Sequence, residues 1–137
     1  KRKELFKLNR NLNRNKIIQE VTKNKKFDNQ INFLNIEKKI EPSWFGLAII
    51  LDKKYRKKKK KYLNFLEKKG LETRPIISGN FVNQPAAKLF KLNDNSLKFH
   101  NAQLIEDLGF FIGLQTQKTP DYKITYLVDN LLKIDEI

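Results

Sequence analysis

The sequence contains no cysteine, so disulfide bridges, iron–sulfur centres and cysteine-ligated zinc sites are all excluded within this chain. It also contains no methionine, and it begins with Lys1-Arg2-Lys3 inside a pattern that is typical of a running helix. We therefore interpret the sequence as a piece of a longer protein, or as a chain whose beginning is missing. It shows no secretory signal, and its longest apolar runs, such as 45–51, are far too short to cross a bilayer. We expect no membrane partner.

Catalytic and metal-binding motifs are missing as well. His100 is the only histidine, and no serine or cysteine nucleophile accompanies it in a motif. The chain has no P-loop, no Gly-x-Gly-x-x-Gly and no cluster with the spacing of metal ligands. Glu106 and Asp107 do not make a catalytic carboxylate pair, because adjacent helix positions face apart. We predict no catalytic residue and no metal ligand in this chain.

Basic charge is what the sequence has in excess. The net charge is +14, which suits nucleic acid or another anionic surface as a partner. The densest basic run, 53–61, has Tyr55 and Tyr62 beside it, as in a basic-aromatic nucleic-acid patch. Yet only five of the 29 basic residues are arginine, the residue that best reads base edges. A solvated helix face is the simpler interpretation, and a basic nucleic-acid-binding module stays open as the alternative.

The hydrophobic pattern predicts two long helices in the first half of the chain. Residues 1–23 form an amphipathic helix whose apolar stripe, Leu5, Leu8 and Leu12, is expected to pack in the core. The second helix, 53–69, is capped by Asp52 and ended by Gly70 in the left-handed conformation. Residues 27–40 are expected to form a loop with a short extended segment.

Three apolar segments predict strands. The strongest is 43–51, a continuous apolar run that we expect to be covered on both faces; the others are 73–77 and 110–114. A last helix is predicted with Thr119 as its cap, Pro120 at its first position and Asp121 in its first turn, and it runs to about Ile134. This order predicts an α/β protein of the α+β two-layer sandwich type, with a small, mostly antiparallel sheet of about three strands backed by helices.

The stretch from Gly70 to Ala86 is the strongest candidate for a binding site. A short strand carrying Arg74 leads into a break at Ser78-Gly79-Asn80, and Gln84 follows before Pro85. Arginine offers a planar fork to carboxylate or phosphate, while asparagine and glutamine both donate and accept hydrogen bonds. This combination suits an oxygen-rich, anionic ligand, although a plain turn between two elements explains the same residues.

The same residues resemble a known family. The chain is similar to the C-terminal domain of the DegT/DnrJ-type nucleotide-sugar aminotransferases, which are fold type I pyridoxal phosphate enzymes. Its Gly-Asn and Gln-Pro pairs resemble most the branch of 4-keto-6-deoxyhexose 3-dehydratases. The segments that carry the likeness are Trp44-Phe45-Gly46, Gly70-Leu71-Glu72-Thr73-Arg74-Pro75, Gly79-Asn80, Gln84-Pro85 and Gly109-Phe110-Phe111-Ile112-Gly113-Leu114.

The resemblance implies a division of labour within a larger enzyme. A missing N-terminal domain would bind most of the pyridoxal phosphate and carry the Schiff-base lysine, or the histidine that replaces it in dehydratases. Residues 1–40 would be the linking helix and loop that leave that domain, and 41–137 the C-terminal small domain. This chain would be inactive alone and would cap the substrate.

The resemblance also implies a substrate and a setting. The substrate would be a nucleotide-linked 4-keto-6-deoxy sugar, used for lipopolysaccharide or other surface polysaccharide precursors by a cytoplasmic homodimer. The reaction would be C3 dehydration or amino transfer, and the sequence leaves that choice open. The residues expected near the substrate are Arg74, Asn80, Phe81, Gln84 and His100.

Overall fold

The computed structural model describes residues 1–37, 39–91 and 96–137 as a four-stranded sheet with helices. Five α-helices and four strands make up the described part: α1 Arg2–Lys23, β1 Ile31–Phe33, β2 Gly46–Leu51, α2 Lys59–Lys68, β3 Thr73–Arg74, α3 Pro85–Leu89, α4 His100–Leu108, β4 Gly109–Gly113 and α5 Asp121–Leu131. Short 3-10 turns lie at Lys53–Lys58, Phe81–Asn83, Ser96–Phe99 and Ile134–Glu136. Helix α1, with 22 residues, is still too polar to cross a membrane, and the rest of the described chain has no helix that could.

The sheet has the strand order β1-β2-β4-β3, and every neighbouring pair is antiparallel. The central pair sets Ile49 opposite Phe110 and Leu47 opposite Ile112. The predicted two-layer fold is therefore confirmed. The sheet has one strand more than the three expected, because the extended segment at 31–33 pairs with the end of β2. Strand β3 is only two residues long, and this fits Pro75, which cannot donate to a ladder.

The core lies between one face of the sheet and the helices. Leu47, Ile49 and Phe110 point into it, and Tyr62 of α2 packs edge-to-face on Phe110 with ring centroids 6.0 Å apart. The Tyr62 hydroxyl donates to the carbonyl of Leu131 at 2.7 Å, so this buried polar group is satisfied. These contacts tie α2, α5 and the sheet into one core.

The other face of the sheet is more open than predicted. Ala48, Ile50 and Phe111 are only half-buried there, and Phe45, just before β2, is 62% exposed. Phe45 packs edge-to-face on Phe111, with ring centroids 5.2 Å apart. The prediction that 43–51 is covered on both faces is thus wrong, because a continuous apolar run shows that a strand is hydrophobic but not what covers each side.

Helix α1 is rotated relative to the prediction. Leu5, Leu8 and Leu12 are 53%, 55% and 49% exposed, so they do not form its buried face. The buried residues are Asn13, Arg14, Ile17 and Val21, on the opposite side of the helix. That side packs against α5, against the core and against the polar loop that precedes α5.

The two predicted ends of the second helical segment are confirmed. The Asp52 carboxylate accepts a hydrogen bond from the Lys54 N–H at 3.0 Å, as a cap does. Gly70 has φ +75°, and the N–H of Leu71 donates to the carbonyl of Leu66. This left-handed exit turns the chain directly into β3 and so fixes where the candidate loop begins.

Candidate functional site

The candidate site is the excursion that leaves β3, passes through a tight turn and enters α3. The Gly79 N–H donates to the carbonyl of Ile76 at 3.0 Å, and Gly79 has φ +60°, a conformation that favours glycine. A Cβ at position 79 would lie 3.0 Å from both Cβ and Cγ of Glu106. The turn therefore packs closely against α4. Glycine suits position 79 because of the positive φ and because a side chain there would crowd Glu106.

Glu106 on α4 holds the turn by hydrogen bonds. One carboxylate oxygen, Oε2, accepts from the backbone N–H of Asn80 at 2.7 Å. Both oxygens also lie 3.1 Å from Nδ2 of Asn83. Hydrogen bonds to an ionised acceptor are among the stronger ones in proteins, so this carboxylate is a firm anchor for the turn.

Gln103 lies one helical turn earlier on the same face of α4 and completes the attachment. Its Oε1 accepts from Nδ2 of Asn80 at 3.0 Å and from Nδ2 of Asn83 at 2.8 Å. Its Nε2 donates to Asp107 at 2.9 Å, and Asp107 in turn pairs with Arg56 at 3.3 Å. The loop is thereby connected through α4 to the 3-10 turn that precedes α2.

Two adjacent hollows open beside this loop and share Pro75 and Gly109 in their walls. The first, of about 310 Å³, lies between the loop and α4 and includes Gln84 and Glu106. The second, of about 240 Å³, lies between α2 and β3. Its polar and charged walls come from Lys59, Lys60, Asn64, Glu67, Thr73 and Arg74. Both volumes lie at or below the lower end of the range of about 300–1,000 Å³ that is usual for small-molecule pockets.

The structure places two of the five predicted site residues, Arg74 and Gln84, in the walls of adjacent hollows and does not bring the five into one hollow. Arg74 is exposed on β3, and its Nε and Nη2 donate to Glu72 at 2.9 and 2.6 Å. Asn80 is only 1% exposed, Phe81 is exposed, and Nε2 of Gln84 donates to the Ser78 carbonyl at 2.7 Å. His100 is exposed at the first turn of α4. Arg74 lines one hollow and Gln84 the other.

Glu106 and Gln103 are residues of this region that the sequence-based prediction missed. Glu106 was considered only as a catalytic partner of Asp107, and Gln103 was not considered. A signal was present, since positions 103 and 106 are three apart and therefore share a face of a helix. What they face depends on the fold, because 23 and 26 residues separate them from Asn80 along the chain.

Lysines near the site do not provide a place for pyridoxal phosphate. Lys59 is the best candidate, since burial lowers its pKa, but its Nζ donates to the Glu106 carbonyl at 2.7 Å. A Schiff-base lysine needs its nitrogen directed at the cofactor in a desolvated pocket, and the hollow beside Lys59 is small and includes Glu67. The described residues by themselves do not fit the cofactor, so no step is derived through it.

Comparisons with known proteins show which class of proteins has this fold. No protein-family model matches the chain. The chain nevertheless has the fold of a segment of the DegT/DnrJ-type pyridoxal phosphate enzymes, and the resemblance noted in the sequence is confirmed.

The particular relatives are sugar 3-dehydratases. GDP-4-keto-6-deoxy-D-mannose 3-dehydratase of Escherichia coli is 34% identical over 53% of this chain and 19% of its own length. dTDP-4-dehydro-2,6-dideoxy-D-glucose 3-dehydratase of Saccharopolyspora spinosa is 29% identical over 66% of this chain and 19% of its own length. The chain therefore spans about one-fifth of the length of the curated relatives it matches.

Solved structures agree with the sequence matches over more of the chain. A variant GDP-4-keto-6-deoxymannose-3-dehydratase with bound GDP-perosamine covers 93% of this chain, at 25% identity and a TM-score of 0.74, and 31% of that protein is matched. A Streptococcus pneumoniae protein described as a sugar aminotransferase, solved in its pyridoxal phosphate form, shares the fold at 15% identity. That likeness covers 91% of this chain and 31% of the other, with a TM-score of 0.70.

Proposed function

We propose that this chain is the C-terminal, substrate-capping part of a pyridoxal phosphate-dependent enzyme that acts on nucleotide-linked 4-keto-6-deoxy sugars. The observation that carries the proposal is the agreement of two independent comparisons. Sequence matches reach 34% identity with a 3-dehydratase, and the backbone follows the same class of enzyme over 93% of the chain. C3 dehydration is favoured over amino transfer, because both curated relatives are named as 3-dehydratases.

The rest of the proposal concerns the whole enzyme. Residues 1–40 would link this part to a large domain, and 41–137 would form the small domain. The large domain would bind most of the cofactor and supply the reactive lysine or histidine. The assembled enzyme would work as a cytoplasmic homodimer in the synthesis of lipopolysaccharide or another surface polysaccharide. The cofactor would supply the carbanion chemistry, and this chain would position the sugar.

Within the chain, the proposed substrate contacts are Arg74, Phe81 and Gln84, with His100 at the edge of the region. Arg74 and Phe81 are exposed, so both side chains are available to a ligand. On substrate binding, Arg74 would release its ion pair with Glu72 and donate to a phosphate or sugar oxygen instead, because its planar guanidinium can form hydrogen bonds with either acceptor. Asn80 belongs to the same site but is buried beneath the turn.

The basic run at 53–61 gives the nucleic-acid alternative little support. Arg56 pairs with Asp107, Lys59 Nζ donates to the Glu106 carbonyl, and Lys61 Nζ donates to the carbonyl of Ile137. Three cations of the run thus bind groups of their own chain. Their contacts within the chain leave these three cations less available to phosphates.

The experiment that tests the proposal uses the full reading frame in which this sequence occurs. The expressed enzyme should bind pyridoxal phosphate and consume GDP- or dTDP-linked 4-keto-6-deoxy sugar. Arg74→Lys should raise KM for the nucleotide sugar about tenfold, because lysine cannot form the bidentate hydrogen bonds that arginine makes. Arg2→Ala, on the exposed start of α1, is the control and should leave KM unchanged. A purified enzyme that binds no pyridoxal phosphate and leaves both nucleotide sugars intact would contradict the proposal.

A further inference from the structure

The turn of the candidate site is held mainly by side chains of α4. Asn80 contributes its backbone N–H to Glu106 and its side-chain amide to Gln103, and the residue is almost fully buried. Asn83, three residues later, is bound to the same two side chains. The neighbouring residue Phe81 remains exposed. The turn therefore has an anchored side, which faces α4, and an outward side.

We propose that Glu106 and Gln103 are positioning residues that hold the 78–84 turn in the conformation that presents Phe81 and Gln84 to the nucleotide sugar. This inference rests on the proposed function for the identity of the ligand. It also gives Asn80 the role of an anchor within the site. The attachment itself is independent of any ligand, since every contact in it lies within this chain.

The anchoring contacts match in donors and acceptors. The acceptors are both carboxylate oxygens of Glu106 and Oε1 of Gln103. The three donor groups are the backbone N–H and Nδ2 of Asn80 and Nδ2 of Asn83. The close approach of Gly79 to the side chain of Glu106 adds a steric constraint. A turn fixed by both hydrogen bonds and packing has few alternative positions.

Helix α4 is itself braced, so the anchor does not move freely. Lys59 Nζ donates to the main-chain carbonyl of Glu106, in the last turn of α4, where carbonyls lack partners within the helix. The Asp107 carboxylate, which pairs with Arg56, orients Gln103 by accepting from its Nε2. Contacts thus continue from Arg56 and Lys59, in the helical segment that follows β2, through α4 to the turn.

The first test is amide hydrogen exchange on the 137-residue chain. Glu106→Gln keeps the size of the side chain but removes its charge and replaces one acceptor oxygen with a donor, so the charge-assisted hydrogen bonds from Asn80 N–H and Asn83 Nδ2 are weakened. The Asn80 amide should exchange about tenfold faster, while the melting temperature changes little. Glu20→Gln, the same change at an exposed position of α1, should leave this amide unaffected. An unchanged Asn80 exchange rate in Glu106→Gln would overturn the inference.

The second test asks whether the anchor serves substrate binding in the full-length enzyme. Glu106→Gln should raise KM for the nucleotide sugar several-fold and leave kcat nearly unchanged, whereas a general loss of structure would lower the active fraction and the melting temperature. Faster Asn80 exchange with unchanged KM would overturn the positioning role. If the unaltered enzyme uses no nucleotide sugar, the proposed function fails together with the substrate part of this inference. The exchange experiment then separately decides whether Glu106 anchors the turn.

Discussion

The side chain of Asn13 accepts a hydrogen bond from the backbone N–H of Thr119 across 106 residues of sequence, at 2.9 Å. Its Nδ2 also donates to the carbonyls of Gln115 and Gln117, at 3.1 and 2.8 Å. One buried amide therefore satisfies three backbone groups in the loop that leads into α5. An asparagine that weakens its helix locally is used to hold two distant parts of the chain together.

Asn13→Ala should lower the free energy of unfolding by about 2–4 kcal/mol, because three backbone groups lose a partner in a partly buried place. Urea denaturation at neutral pH measures this directly. Asn11→Ala, on the same helix, is the control and should be neutral or stabilising by a few tenths of a kcal/mol, since alanine is the better helix former. Equal losses at the two positions would mean that the Asn13 bonds contribute nothing specific.

The exposed and buried faces of α1 should differ in how much an alanine substitution destabilises the protein. Leu8→Ala should cost about 0.5 kcal/mol or less in this chain, because the side chain is about half exposed. Ile17→Ala should cost about 2–4 kcal/mol, since Ile17 lies in the core. The two variants can be compared by the same urea titration. If Leu8→Ala were the more damaging change, α1 would be buried on the face predicted from the sequence.

Alanine substitutions at Gly70 and Gly79 would distinguish the cost of backbone strain from the cost of side-chain crowding. Gly70 and Gly79 both have positive φ, but a Cβ at Gly70 meets no atom within 4 Å, whereas one at Gly79 meets the side chain of Glu106. Gly70→Ala should cost about 1–2 kcal/mol for the left-handed conformation alone. Gly79→Ala should cost about 1 kcal/mol more through overpacking, and it should also speed exchange of the Asn80 amide. Similar costs and an unchanged Asn80 amide would show that the turn is free of α4.

The contact between Lys16 and Asp121 predicts a pH dependence. Lys16 donates to the Asp121 carboxylate and lowers its pKa in the folded protein. The stabilisation is therefore present above the ordinary aspartate pKa of about 3.9 and is lost as pH falls through the lowered, folded-state value. Asp121→Asn should reduce the urea midpoint slightly at pH 7, and the gap from the unaltered protein should close in acid. A gap of the same size at pH 7 and in acid would contradict this contribution of the Lys16–Asp121 contact.

Much of the architecture follows from local sequence. Asp52 and Gly70 mark the ends of one helical segment because capping and left-handed turns depend on a few neighbouring residues. The start of α5 was less well predicted. Pro120 is the cap residue and not the first helical residue, and the Thr119 N–H is used by Asn13. A distant side chain competes there with the local pattern.

The candidate site was predicted in part. The stretch from Arg74 to Gln84 forms a turn beside two hollows, as its glycine and amide residues indicate. Its attachment to α4 could not be predicted, because Gln103 and Glu106 meet Asn80 only after β3, α3 and α4 have folded. Periodicity says which residues share a face and not what that face meets.

The amino-acid sequence by itself determined the helices, the apolar strands and the left-handed Gly70, since each depends on short-range chemistry, and its motifs carried the likeness to a class of sugar-modifying enzymes. Tertiary structure alone decided that α1 turns its leucines outward, because the loop before α5 offers backbone groups that an asparagine can satisfy and a leucine cannot. It also decided that Glu106 holds the 78–84 turn, because that contact depends on packing between residues far apart in the chain.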